Sequence, residues 1–270
     1  MALSVLNNIP ALAAQNQLAI TQGELQTTLF RLSSGQRINS GADDAAGLAI
    51  ADGLQANVTA LQQSAQNAND GVGLLQVADG ALSQVTTLLN RAVTLATEAA
   101  TGTVTSAQQT ALDTEYTAIK AEITRIGTDT TFNGSAVFTA ATTSIFLSDS
   151  NSQSTIPVTI GDLSATGLGL TGSLTSTSNA STALTAINGA IAEVASDRGT
   201  LGATINRLTS AVNVINNQVQ NLTSAEDGIR SADIAQEVGN LSKYEILNQT
   251  GISALAQANA SQQQVLKLLT

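Results

Sequence analysis

The sequence has no cysteine, no histidine and no tryptophan, and aromatic residues make up only 2% of its 270 positions. Without cysteine there is no disulfide and no thiol nucleophile. Without histidine, the usual general base of acid–base and triad chemistry is missing. The two absences together remove zinc sites of the usual ligand types. Basic residues are also scarce. Ten Lys and Arg stand against twenty Asp and Glu, giving a net charge of −10 and a pI near 4.2. A chain this acidic, with no basic run, offers no footprint for nucleic acid or an anionic membrane surface. The N-terminal stretch lacks a basic n-region, and Asn7, Asn8 and Pro10 interrupt its apolar residues, so it does not read as a Sec-type signal peptide. No stretch reads as apolar enough to span a membrane.

Hydrophobic residues are nevertheless 43% of the chain, much of it alanine. Small side chains make a thin core, which suits helices packed in pairs or triples better than a sandwich. The length allows one or two domains.

Periodicity is the strongest signal. From Leu54, alternating steps of four and three reach Val58, Leu61, Ala65, Ala68, Val72, Leu75, Asp79, Leu82, Thr86, Leu89, Val93 and Ala96, with only Asp79 and Thr86 polar. A second run reads Leu184, Ile187, Ile191, Val194, Arg198, Leu201, Ile205, Leu208, Val212, Ile215, Val219 and Leu222, with only Arg198 polar. A shorter third run is Leu112, Tyr116, Ile119, Ile123 and Ile126. Such spacing is a coiled-coil seam. At 1.5 Å per residue the first two seams are each about 60 Å long, which predicts a rod.

Punctuation agrees. Ser40 to Asp43 reads as a capping box, with Asp43 and Asp44 in the first turn of the helix that follows. Gly102 is placed to end that helix, Ser106 to Gln109 to start the next, and Gly127 to end it. The short link predicts an antiparallel return. Between the helical halves, residues 142–160 read as two short β-branched strands around a polar turn, and 162–181 as a Gly/Ser/Thr-rich loop. Both ends are also helical in pattern. Val5, Ile9, Leu12, Leu25 and Leu29 recur at one end, and Val238, Leu241, Leu255, Leu266 and Leu269 at the other. Their polar faces are Gln, Asn and Ser rather than charge, which suits burial against copies of the same chain.

Several candidate sites yield to blander readings. Asp43 and Asp44 lack further oxygen ligands at calcium-loop spacing and read as a helix start. Gly167 to Gly172 matches G-x-G-x-x-G, with Glu193 downstream, but it sits in a Ser/Thr loop outside any strand–turn–helix unit. Asn57, Asn133 and Asn221 each open an N-x-S/T triplet, as chance explains in so Asn-, Ser- and Thr-rich a chain. Arg198 is a polar seam position expected to set register or pair with Glu193 or Asp197.

The stretch RLSSGQRINSGADDAAGLAIA, residues 31–51, resembles the signature of the bacterial flagellins almost residue for residue. NANDGVGLLQVADGAL (67–82), TTFNG (130–134), NLTSAEDGIRSADIAQEV (221–238) and ALAQANASQQQVLKLL (254–269) resemble the family's other motifs. The resemblance implies a mainly α fold. Residues 1–44 with 230–270 would form an inner domain of paired terminal helices, whose core residues are the ten terminal apolar positions named above. Residues 45–229 would form a rod of three long helices with a β-hairpin and loop around 128–180. The segment 34–44 would join the two, with Arg31, Ser33, Ser34, Gly35, Arg37, Asn39, Asp43 and Asp44 in intersubunit packing and charge pairing. This chain would be a short member without the large variable surface domains.

The family further implies a structural, non-enzymatic subunit of the flagellar filament, without cofactor or metal, exported unfolded by the flagellar type III route and located outside the cell. Its implied partners are further copies of itself, the cap and hook-junction proteins, and an export chaperone at the C-terminal region. Neither nucleic acid nor membrane insertion is implied. Arg91, Leu95 and Glu115 match positions through which Toll-like receptor 5 recognises many flagellins, although Asn90, Val93 and Thr94 depart from the usual pattern. A hook–filament junction protein, which shares the terminal helices, is the nearest alternative.

Overall fold

The computed structural model describes residues 8–148 and 154–269. The chain is mainly α. Among the described residues, five helices, α1 (Ile9–Ser34), α2 (Ala45–Ala99), α3 (Ser106–Asp129), α4 (Thr177–Arg230) and α5 (Ile234–Leu269), accompany four short strands, β1 (Thr131–Phe132), β2 (Ser135–Ala136), β3 (Thr142–Phe146) and β4 (Thr155–Thr159). The contacts divide the chain into two compact units. One holds the chain up to Ala56 and from Asn221, the other Asn57–Gln220. The division falls within α2 and α4, so the first turns of α2 and the last turns of α4 group with the terminal helices.

In the 57–220 unit, α2 and α4 run antiparallel. Asp79 pairs with Arg198, and Gly71 lies against Leu208. α3 returns along α2, with Gln109 donating to the Ala99 carbonyl and Arg91 pairing with Glu115. The buried stripes are shifted from those expected. Leu61, Ala68, Leu75, Leu82, Leu89 and Ala96 are buried as read, but their companions are Ser64, Gly71, Ala78, Val85 and Ala92. Ala65, Val72, Asp79, Thr86 and Val93, one residue further on, are only half-buried. α4 shows the same shift: Ile187, Val194, Leu201 and Leu208 are matched by Ala183, Ala190 and Thr204 rather than Leu184, Ile191 and Ile205. Small residues occupy the inner column because it lets the helices approach closely. The two polar misfits of the expected seams, Asp79 and Arg198, turn out to be partners, with Nε 2.7 Å from Oδ1. Glu193 and Asp197 are not the partners of Arg198.

By length and composition α2 is apolar enough to cross a membrane, contrary to the sequence reading. Its buried column of Leu61, Ala68, Leu75, Leu82 and Leu89 faces the other helices of the 57–220 unit.

Several helix ends sit off the expected positions: α2 closes at Ala99, three residues before Gly102, and α4 opens at Thr177, inside the stretch read as loop. The box on α3 is Thr105 with Gln108, so Ser106 is already the first helical residue. Gly127 does not end α3. It is buried two residues inside, where a Cβ would land on the Leu163 carbonyl.

Among the described residues, the middle region holds two antiparallel hairpins where the sequence reading expected one. β3 pairs with β4 with Ile145 opposite Ile156, as expected; its polar turn lies outside the described residues. The second, β1–β2, turns on Asn133 and Gly134, both with positive φ (49° and 78°). Asn-Gly is a strong two-residue hairpin signal, and the sequence reading passed over it. The loop after β4 is anchored by Leu163, Leu168, Leu170 and Leu174, all buried. Asp113 accepts from the Leu174 amide, and Lys120 donates to the Gly172 carbonyl.

Candidate functional site

The segment 35–44 leaves α1 through Gly35, whose φ of 70° is the left-handed helix cap that glycine adopts without a Cβ penalty. Its amide donates to the Arg31 carbonyl at 2.8 Å, and its carbonyl accepts from Ala232. Gln36 bridges Ser231, and the Arg37 amide donates to the Arg230 carbonyl at 2.7 Å. This short ladder ties the segment to the α4–α5 connection.

Each expected residue has a definite place in it. Ser34 Oγ accepts from the Gln36 amide and from Asn39 Nδ2, which also donates to the Gln36 carbonyl. Ser33 is exposed. The Arg37 guanidinium donates to the Ile229 carbonyl at 2.8 Å, placing a cation at the negative end of α4. Asp43 is not in a helical turn. Its Oδ2 accepts from the Asn39 and Ser40 amides and the Ser40 hydroxyl, closing a turn before the helix. The Ser40 hydroxyl, then those amides and Arg31, hold its carboxyl below the usual range. Asp44 alone caps α2, accepting from the Ala46 and Gly47 amides.

Arg31 lies 3.8 Å from Asp43 and 3.6 Å from Glu237, linking α1, the segment and α5. Arg230 likewise approaches Asp52 and Glu226. Sequence reading named neither Glu237 nor Arg230, although Glu226 stands one helical turn before Arg230. Ile38, 2% exposed, sits where a Cβ on Gly47 would have to be. The charges that looked like a site are engaged inside the chain. Among the described residues no cluster of His, Cys, Asp or Glu fits a metal.

α1 and α5 pack antiparallel. Asn8 donates to the Ala258 carbonyl, Leu18 rests against Gly251, and Arg31 faces Glu237. The facing stripe on α1 is Ala11, Ala14, Leu18, Thr21, Leu25 and Thr28; on α5 it includes Glu237, Leu241, Tyr244, Asn248, Gly251 and Leu255. The expected apolar set therefore splits. Leu25, Leu241 and Leu255 are half-buried in this pairing, while Ile9, Leu12, Leu29 and Val238 are exposed by 65, 59, 47 and 46%. Ile20, Phe30, Ile246 and Ile252 join the exposed set, each more than half open. Val5 and the side chains of Leu266 and Leu269 lie outside the described residues. Large apolar groups are thus left open along both long helices.

In the other unit, Arg91 Nε and Nη2 bind the two Glu115 oxygens at 2.7 and 3.1 Å. The pair is exposed. Leu95 is 1% exposed, a buried residue of α2, whereas Arg91 and Glu115 stand at the surface.

Known proteins give the same picture. Residues 5–143 match the family description "bacterial flagellin N-terminal helical region", and 184–269 match its "C-terminal helical region". Flagellin of Halalkalibacterium halodurans is 36% identical over 97% of this chain and 98% of its own length. Flagellin of Bacillus subtilis is 34% identical over 99 and 100%, and the flagellar filament 30.7 kDa core protein of Treponema maltophilum is 32% identical over 98 and 99%. Two long helical ends that pair with each other, apolar faces left open on both, and likeness over nearly the whole of these relatives place the chain in the bacterial flagellins, as a structural subunit of the flagellar filament and not an enzyme.

Proposed function

We propose that the exposed apolar faces of α1 and α5 are the surfaces through which subunits stack into the filament. The observation that carries this is the split of the terminal apolar residues. Leu18, Leu25, Leu241, Tyr244 and Leu255 pair the two helices together with small and amide groups, and the large side chains Ile9, Leu12, Ile20, Phe30, Ile246 and Ile252 stay open. A monomer gains little by ordering such helices, whose conformational entropy must be offset by burial. Neighbouring copies supply that burial. Head-to-tail contacts that do not close then build a helical polymer. The 34–44 segment contributes its small exposed groups to this packing, while Arg31, Arg37, Asp43 and Asp44 hold its shape from within.

The finer reading follows. The subunit serves swimming, leaves the cell through the flagellar export channel with a chaperone on its C-terminal region, and folds beneath the cap protein. Recognition by Toll-like receptor 5 would rest on Arg91 and Glu115 without Leu95, and a cell-reporter assay with purified monomer that gives no response removes it.

Electron microscopy after seeding tests the main proposal. The full chain is expected to give long filaments, and a variant lacking 1–33 and 233–270 none. A full chain that stays monomeric beside competent seeds overturns it in favour of a hook-junction role.

A further inference from the structure

The sequence contains two Asn-Gly pairs, Asn133-Gly134 and Asn188-Gly189, and the fold treats them differently. Asn188 and Gly189 lie inside the 54-residue helix α4. Asn133 and Gly134 form the exposed turn of β1–β2, both in the left-handed region. That hairpin has only two residue pairs, Thr131 with Ala136 and Phe132 with Ser135, clamped by one further bond from the Val137 amide to the Thr130 carbonyl. Nothing lies within 4 Å of where a Gly134 Cβ would stand, so the turn has room to move. The same turn forms one wall of a groove of about 350 Å³ with Asp70, Leu74, Phe132, Val137 and Ile145.

We propose that Asn133-Gly134 is a site of spontaneous deamidation that ages the subunit at this hairpin, while Asn188-Gly189 is spared. The Gly134 amide nitrogen, giving up its proton to hydroxide, attacks Asn133 Cγ. The new C–N bond closes a succinimide ring, the Cγ–Nδ2 bond breaks, and ammonia leaves carrying a proton from water. Water then opens the ring at either carbonyl, giving aspartate or isoaspartate. The net exchange is one water in and one ammonia out, with no oxidant or enzyme. Glycine is the least obstructive residue to this attack because it has no side chain. Ring closure requires the turn to rotate out of its left-handed form. A two-pair ladder opens locally at small cost. At Asn188 the same rotation has to break open the interior of a long helix whose amides are bonded.

The products change the groove. Isoaspartate adds a methylene to the main chain, and a two-residue turn cannot hold its register across it. Either product puts a second carboxylate on the groove wall that already carries Asp70.

The test is peptide mapping of the full-length chain held folded at 37 °C over a pH series, with fragmentation that separates aspartate from isoaspartate. A urea-unfolded sample serves as the reference in which both pairs react. In the folded chain, conversion at Asn133 is expected to run at least about tenfold faster than at Asn188, a ratio equivalent to about 1.4 kcal/mol of barrier, and to accelerate with pH. An Asn133→Gln variant should lose the signal. Folded Asn133 converting no faster than folded Asn188, while the unfolded chain converts at both, overturns the proposal.

Discussion

Replacing Gly127 by alanine sets two physical effects against each other at one atom. Alanine is the better helix former, a gain of at most about 1 kcal/mol. A Cβ at this position lands on the main-chain carbonyl of Leu163, which is part of the loop that Leu163, Leu168, Leu170 and Leu174 anchor. No side-chain rotation relieves that contact; the loop backbone has to shift. Overpacking of this kind costs about 1–3 kcal/mol. The net expectation for Gly127→Ala is a loss of about 1–2 kcal/mol, which for a unit the size of 57–220 lowers the melting temperature by about 3–6 °C. Gly80 provides the comparison. It lies in the middle of α2 with nothing within 4 Å of its added Cβ. Gly80→Ala is therefore expected to stabilise, raising the melting temperature by about 2–4 °C. Thermal unfolding of the monomer, followed by circular dichroism, reads both. If Gly127→Ala melts as high as Gly80→Ala, the packing of α3 against the Leu163 loop is not as described.

Removing the cap hydroxyl of α3 with Thr105→Ala should cost about 1 kcal/mol in urea unfolding of the monomer, because the reciprocal Thr105–Gln108 box is lost. Phe30→Ser should leave monomer melting unchanged but raise the critical concentration for polymerisation by about tenfold, since a 60%-exposed phenyl ring buried in the assembly contributes about 1–2 kcal/mol. Asp43, whose carboxyl is held below its ordinary range, stabilises the 36–44 turn above the usual carboxylate pKa, and that contribution is lost as pH falls through its depressed value. Carbon-detected NMR of the Asp43 carboxyl should show the low midpoint, and a midpoint at the ordinary aspartate value contradicts the hydrogen-bond pattern around it.

Much of the fold was legible because helices are written in near neighbours. The period of α2 and α4 put Leu61, Leu75, Leu82 and Leu89, or Ile187, Leu201 and Leu208, on one face whatever packs against it. What misled was the second column of each seam. Scoring by hydrophobicity favours Val72 and Val93 over Gly71 and Ala92, yet close approach of helices favours the small residues. The same bias hid the anchored loop, where four leucines are diluted by Gly, Ser and Thr. The Asn133-Gly134 turn carries a readable signal, but its strands are two residues long, too short for an alternating β pattern. At the junction, the residue types were right and the partners were not. Asp43 and Asp44 divide one expected cap between a turn and a helix start. Arg31 finds Glu237, some two hundred residues away in the chain.

The sequence by itself determined the helices, the longer hairpin and, through its motifs, the family. Those depend on local propensity, on the spacing of apolar groups and on the sequence itself. Only the tertiary structure decided which terminal apolar residues pair α1 with α5 and which remain open, that Arg198 belongs to Asp79, and that Leu95 is interior. These depend on which distant side chains the packed helices bring together, and in a chain of alanines, small hydroxyls and amides many faces are nearly equivalent until the backbones have met.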